Sequence, residues 1–303
     1  MAKPTKPLLQ QAKAFLRARY LMLGTSRHAL KQQADAPPRI HSIRTFEAYA
    51  ANIAKAAEAL QVPYIKYITA DQAHGYLLER AAAGYSQKQL DSDRRALHLL
   101  TGADLAKVHA IVRETRQSRA YTAGQVALIT RHQTPAHALA TQLAYRAGLR
   151  GQELLTLRRP DEGTPPSRHR QWHPDRFQGR DGLRYWVTGK GGLVREVLLP
   201  TALATQLEAR RLAQPRPVKD RGVYGIMQRY ALPGGNAWES AFSAASKRAL
   251  GWSTGAHGLR HAYAQERYTE LMRAFPLPDA TARAIVAGEL GHFRGEITET
   301  YLR

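Results

Sequence analysis

Apolar positions recur three and four residues apart from Ile43 to Leu60, where Phe46, Tyr49, Ile53, Ala57 and Leu60 fall on one stripe. That period predicts an amphipathic helix, stopped at Val62-Pro63. Upstream, residues 7–33 read as a basic helical stretch, open to interruption at Gly24-Thr25-Ser26 and broken by Ala36-Pro37-Pro38. Downstream, a second helix follows Thr69, with Asp71 and Gln72 in its first turn and Gly84 near its end. Ser86 caps a third that reaches Leu100 and ends at Thr101-Gly102, and Ala103 to Gln117 is expected to form a fourth. Residues 1–35 thus read as a basic helical extension and residues 36–117 as an all-helical domain.

Ser118-Arg119-Ala120 reads as a linker, because Tyr121-Thr122 opens a new helix capped by Thr122 and running to Ile129. A second domain then covers residues 121–303. His137 to Gly148 is an apolar-rich helix with a glycine suited to its last turn, and residues 149–157 restart a helix at once. Arg159 to Gly182 is rich in Pro, His and Arg without a period, the mark of a basic surface loop. The pattern changes next. Arg184–Thr188 and Leu193–Leu199 are β-rich runs around Gly189-Lys190-Gly191-Gly192, which puts Lys190 at or beside a hairpin tip. Thr201 to Ala213 is expected as helix, ended by Gln214-Pro-Arg-Pro217, and Gly234-Gly235-Asn236 precedes another from about Trp238 to Leu250. The fold class is therefore mainly α, with a small antiparallel β-hairpin in the C-terminal domain.

Charge narrows the partners. Against 24 Asp and Glu stand 45 Lys and Arg, a formal charge of +21 with a pI near 10.5, which calls for a polyanion: DNA, RNA or an anionic membrane. The membrane is the weakest of these, since the chain has no run of about 18 apolar residues and no charged-then-apolar leader. A soluble, cytoplasmic protein is the expectation. With no cysteine, disulfides, thiolate zinc sites and cysteine nucleophiles are excluded. His257 and His261 stand four apart with no third ligand nearby in sequence, so no metal is expected.

Candidate chemistry gathers at the end of the chain, in A-H-G-L-R-H-A-Y-A (256–264) and L-G-H-F-R-G-E-I-T-E-T-Y-L-R (290–303). His257 and Arg260, three apart, lie on one helix face and can reach a single anionic oxygen, while a tyrosine near the terminus can swing. Cationic donors beside an attacking hydroxyl suit phosphoryl transfer, where the protein mainly positions groups and stabilises charge. Each residue alone has an ordinary explanation: a surface ion pair for Arg150, a solvated turn for Lys190, a packed core imidazole for His257, a frayed end for Tyr301. Their joint order outweighs those explanations, with the hairpin between the two arginine motifs and His292 nine residues before Tyr301.

On these motifs the sequence resembles the tyrosine recombinases of the phage-integrase type. Gly148-Leu-Arg150-Gly-Gln-Glu153 is similar to the family's first arginine motif, Gly189-Lys190-Gly191 to its hairpin lysine, and His257-Gly-Leu-Arg260-His to its H-x-L-R-H box. The likeness covers residues 121–303 and, as a helical pattern only, 43–117, which would be the core-binding domain. It implies a site-specific recombinase that cuts and rejoins DNA at an inverted-repeat core site through a 3′-phosphotyrosine. Tyr301 would be the nucleophile, Arg150 and Arg260 the phosphate clamps, and Lys190 the acid for the departing 5′-oxygen. His257 would serve the tyrosine as base or acid, His292 would donate to the phosphate, and Glu153 would orient its neighbours. The same resemblance implies four protomers on two duplexes, a directionality factor for a mobile element, and neither cofactor nor metal. Only Leu302 and Arg303 follow the tyrosine, so the helix of residues 7–33 is the expected means of subunit coupling. Two rival expectations are a non-cutting DNA-binding protein of the same fold and a type IB topoisomerase-like enzyme.

Overall fold

Capping chemistry sets most helix ends in this computed structural model, which describes residues 6–22, 39–112, 118–163, 172–189, 192–221 and 223–302. The chain divides into two compact units, Met1–Thr115 and Arg116–Arg303. In the first, α1 (Leu8–Arg19), α2 (Ile43–Ala59), α3 (Ala70–Ala82) and α4 (Gln87–Thr101) share one apolar core. Ser42 accepts from the Thr45 N–H at the start of α2, and Thr69 and Gln72 cap α3 reciprocally. Ser86 opens α4 in the same way, and left-handed Gly102 closes it. Of the apolar period, Phe46, Ile53 and Ala57 are buried while Tyr49 and Leu60 are half-buried, and Ala50 is buried beside them.

Two expectations for this unit change. The basic stretch at the start is not an appendage: α1 stops at Arg19, Ala12 and Leu16 lie wholly within the core, and Gln11 bonds the Pro63 carbonyl and the Ile65 N–H. The proposed interruption at Gly24 and the Pro37-Pro38 break lie outside the described residues. The expected fourth helix is also absent from residues 103–112, which run beside α4 without helical bonds. There the backbone is satisfied by α4 side chains, Arg94 on the Leu105 carbonyl and Gln87 on both the Val108 carbonyl and the Ala110 N–H. Leu105 and Val108, three apart, are buried from this irregular segment rather than from a helix.

The second unit begins with residues 119–121 braced against 253–254, where Thr254 Oγ1 donates to the Arg119 carbonyl at 2.8 Å and the Thr254 N–H to the Tyr121 hydroxyl at 2.8 Å. Next come α5 (Ala123–Arg131), α6 (Pro135–Ala147) and a single turn, α7 (Gly151–Leu154). Strands β1 (Leu183–Thr188) and β2 (Val194–Leu199) pair antiparallel, with Leu183 opposite Leu199 and Thr188 opposite Val194. A short helix, α8 (Thr201–Glu208), leads into a second hairpin, β3 (Arg211–Asp220) with β4 (Val223–Tyr230). Helices α9 (Gly235–Leu250), α10 (His257–Ala274) and α11 (Asp279–Glu289) follow, and the chain turns through a 3₁₀ segment, Gly295–Thr300, to reach Tyr301.

The helix expected to reach Ala213 therefore ends at Glu208, and the Pro-Arg-Pro segment lies in β3. Proline cannot donate to a ladder, yet a two-stranded ribbon has a free edge on each strand where a missing donor costs nothing. The stretch 159–182 is only partly a surface loop. Phe177 is buried, and its N–H donates to Glu289 Oε1 at 2.8 Å. Among the described residues no helix is long and apolar enough to cross a membrane.

Candidate active site

Four segments of the second unit, from Arg150 to Tyr301, converge on one site. Arg150 enters from the start of α7, two residues after Gly148 ends α6 in the left-handed conformation. His257 and Arg260 come from the first turn of α10, His292 from the turn after α11, and Tyr301 from the 3₁₀ segment. The Tyr301 hydroxyl lies 3.3 Å from Arg260 Nε and 3.3 Å from His292 Nε2. The same imidazole nitrogen stands 3.3 Å from Arg260 Nη2 and 3.4 Å from Arg150 Nη2. Its neighbours are thus two guanidinium groups, which only donate, and a phenol. Nε2 must carry the lone pair and Nδ1 the proton.

Charge is strongly unbalanced here. Three guanidinium groups, Arg150, Arg195 and Arg260, surround the fully buried carboxylate of Glu153. Arg150 Nη1 donates to Oε1 at 2.8 Å, while Oε2 accepts from Arg195 Nη2 at 2.7 Å and from the Arg150 N–H. Burial alone would raise the Glu153 pKa, but Arg195, Arg260 and Arg150 outweigh it and hold it at about 2. Arg260, also fully buried, is brought down to about 10 by desolvation and then by Arg150. Its Nη1 donates to the Gly148 carbonyl at 2.6 Å and its Nη2 to that of Leu290, so backbone oxygens fix its plane. Buried cations in excess of their carboxylate are costly unless an anion joins them, which makes this centre a receptor for an anionic group.

The imidazoles are neutral near pH 7. Burial, then Arg260 and Arg150, push His292 down to about 3. His257 is exposed at the rim, yet desolvation leads there too, followed by Arg260 and His261, and brings it to about 3. His292 hydrogen-bonds the phenolic oxygen, whereas His257 meets Tyr301 by ring contact, with centroids 5.8 Å apart.

Of the residues singled out in the sequence, Arg150, Glu153, His257, Arg260, His292 and Tyr301 come together. Lys190 lies outside the described residues. The strand end before it does reach the site: a Cβ on Gly189 would stand 2.9 Å from Glu153 Oε1, so only a glycine allows that approach.

Several supporting groups went unread. Arg195 occupies an inward position of β2, in line with Val197 and Leu199, and a charge among inward apolar positions is the signal that flags it. It also donates to the Glu289 carbonyl at 2.5 Å. Glu289 itself is buried, bonded by Arg267 Nε at 3.0 Å and by the Tyr263 hydroxyl at 2.7 Å, and so ties α10 to α11. His261 and Gln265 on α10 face the tyrosine segment. Among the described residues no group of His, Cys, Asp or Glu is arranged to hold a metal ion.

Fold and site together define a two-unit, mainly helical protein with a cationic, anion-receptive centre closed by a phenol. No family model matches the chain, and no curated protein matches it. Solved structures do. The XerH site-specific recombinase bound to difH substrate, in a pre-cleavage complex, is 16% identical with a TM-score of 0.55, covering 100% of this chain and 93% of that one. A lambda integrase(75-356) dimer bound to a COC' core site is 17% identical with a TM-score of 0.54, covering 92% and 96%. The Tn1549 transposon integrase in complex with circular intermediate DNA is 14% identical with a TM-score of 0.50, covering 98% and 95%. The fold of this chain is that of the tyrosine recombinases.

Proposed function

We propose that this protein is a site-specific DNA recombinase of the integrase type, which cuts and rejoins duplex DNA through a 3′-phosphotyrosyl intermediate. Integration or excision of a mobile element is the setting that fits this chemistry. The observation that carries the reading is the phenolic oxygen of Tyr301, 3.3 Å from Arg260 and from His292 in a centre with cations to spare. The charge of +21 and the DNA complexes formed by proteins of like fold support duplex DNA as the partner.

A scissile phosphate entering this centre meets Arg150 and Arg260, whose guanidinium groups keep N–H donors for its non-bridging oxygens beyond those bonded to Glu153 and to the Gly148 and Leu290 carbonyls. Tyr301 attacks the phosphorus, its proton passes to a neutral imidazole, and the bond from phosphorus to the 5′-oxygen breaks. His292 is already in contact with the phenol and His257 flanks it, so either ring can accept that proton. Lys190 protonates the departing 5′-oxygen. The phosphotyrosine conserves the energy of the broken bond, so rejoining to another 5′-hydroxyl needs no nucleotide cofactor. Glu153 keeps Arg150 in place. Exchange between two sites calls for four protomers on two duplexes, with a directionality factor able to bias the outcome.

The test uses a pool of nicked suicide duplexes with randomised inverted repeats, in which the cleaved fragment diffuses away and traps the adduct. Wild-type protein should form a covalent complex resistant to denaturant, and Tyr301→Phe should bind the pool equally well and form none. Binding without any adduct from the wild type would favour a non-cutting DNA-binding protein. Relaxation of plasmids that lack a selected site would favour a topoisomerase.

A further inference from the structure

Arg119 is an exposed residue whose backbone is fixed at the rim of the site. Its carbonyl accepts from Thr254 Oγ1 at 2.8 Å, and the Thr254 N–H donates to the hydroxyl of Tyr121, two residues on, at 2.8 Å. Tyr121 is buried and stacks flat on Trp252, with centroids 5.4 Å apart and planes inclined at 2°. The packing against α10 is close enough to exclude a side chain there: a Cβ on Gly258 would overlap the Arg119 carbonyl and come within 2.6 Å of Tyr121 Cε2. Gly258 stands between His257 and Arg260, so this glycine is what lets residues 119–121 lie against the turn that carries both.

The side chain is held at one corner. Arg119 Nη2 donates to the Thr254 carbonyl at 2.5 Å and lies 3.9 Å from the place of a Cβ on Gly255, two residues before His257. That bond uses one of five N–H donors. Among the described residues no carboxylate takes the others, and the residue is exposed, so they are open to a partner from outside. Its charge reaches the histidines of α10. Burial first, then Arg260, His261 and Arg119 lower the pKa of His257, and burial and then Arg119 lower that of His261.

The arginines inside the centre are placed differently. Arg150 and Arg260 are tied to Glu153 and to backbone carbonyls, where they serve the phosphate that enters. A DNA strand brings one phosphate with every nucleotide, and the neighbours of the entering one stay at the rim. We propose that Arg119 binds the backbone phosphate next to the scissile one, on the same strand, and so sets which phosphate is presented to Tyr301. The inference rests on the recombinase reading given above. Phosphate contacts fix register and orientation without reading sequence, and a cation anchored by its own backbone and by Thr254 is a fixed point against which the strand is laid.

The experiment uses the full-length chain as wild type, Arg119→Gln and Arg119→Lys. Duplex affinity is titrated against salt, and the unfolding midpoint of each protein is recorded. Arg119→Gln should flatten the plot of log affinity against log salt by about one unit of slope, the worth of a single phosphate contact, and Arg119→Lys should keep the wild-type slope. The contact is then placed with a duplex recovered from the adduct pool, in which the phosphates beside the mapped cut are replaced one at a time by uncharged methylphosphonate. At one of these neighbours the replacement should weaken binding by wild type and leave the affinity of Arg119→Gln as it was. A wild-type slope in Arg119→Gln would overturn the proposal, and so would neighbouring methylphosphonates that weaken both proteins alike. Equal losses of affinity in the Gln and Lys variants, together with lowered unfolding midpoints, would also overturn it, by leaving Arg119 only the task of bracing Thr254. If wild type forms no adduct with any duplex, the phosphotyrosyl reading fails instead, and the salt slopes, which need no cutting, still decide whether Arg119 contacts the backbone.

Discussion

Glu153 owes its charge to Arg195 as much as to Arg150, although only Arg150 belongs to the motif that drew attention to it. Arg195 spends its donors on Glu153 and on the carbonyls of Glu289 and Gly148, so its part is to hold the carboxylate and two chain segments in place. Removing one member of such a buried pair leaves the other charge uncompensated, which costs about 3–5 kcal/mol. Arg195→Met should therefore lower the melting temperature by roughly 10 °C, at about 2–4 °C per kcal/mol for a unit of this size. A drop of under about 3 °C would show that Arg150 and Arg260 suffice to hold Glu153. At this scale the motif residues were legible because they recur in a known order. Arg195 was not, because a single arginine in a β-rich run has no motif to announce it.

Elements deliver these residues through a few positions that admit no substitution. Gly148 ends α6 at φ +57° and hands the chain to Arg150, while its carbonyl accepts from both Arg260 and Arg195. A Cβ there would come within 2.7 Å of Leu290 Cδ2 and 2.9 Å of Tyr263 Cδ1. Gly148→Ala should cost about 2–4 kcal/mol, combining left-handed strain with overpacking. Gly102→Ala, at φ +71° with nothing within 4 Å of its Cβ, should cost only about 1 kcal/mol. Equal losses in urea titrations would mean that backbone strain alone sets both. Helices with a capping residue and an apolar stripe could be read directly, as in α2 and α4. The β3–β4 ribbon could not. Its two prolines read as helix breakers, and nothing local reveals that Arg216 lies opposite Gln228 and Pro217 opposite Met227.

The whole molecule is a cation, and its centre resists protonation. Duplex binding should weaken linearly on a plot of log affinity against log salt, with a slope of about −0.9 per phosphate contacted. A slope near zero would remove the electrostatic basis for DNA as partner. Acid should act on stability through the site. Glu153 is held at about 2 and His257 and His292 at about 3, against roughly 4.3 and 6.5 in an unfolded chain. Between those values the unfolded chain binds protons that the folded one refuses, so it gains as pH falls. Stability should be full above about pH 6.5 and decline progressively toward about pH 2, through the histidines first and Glu153 last. A denaturant midpoint unchanged from pH 7 to about pH 4 would show that both imidazoles take up protons freely in the fold. Deleting α1 belongs at this scale too. With Ala12 and Leu16 in the core, the loss should destabilise the first unit, read as a lower melting temperature of the remaining chain.

By itself the sequence determined the helical periods, the caps, the first hairpin and the order of the motif residues, because each depends on neighbours a few positions away. Tertiary structure alone decided that Arg195 and Glu289 lie inside, that residues 103–112 lean on α4 instead of coiling, and that His292 rather than His257 hydrogen-bonds the phenol. Those outcomes depend on which buried charge finds which partner and which backbone carbonyl finds which side chain. Such pairings join positions from 9 residues apart, for His292 and Tyr301, to 94 apart, for Arg195 and Glu289, and a pattern with a period of two or 3.6 carries no record of them.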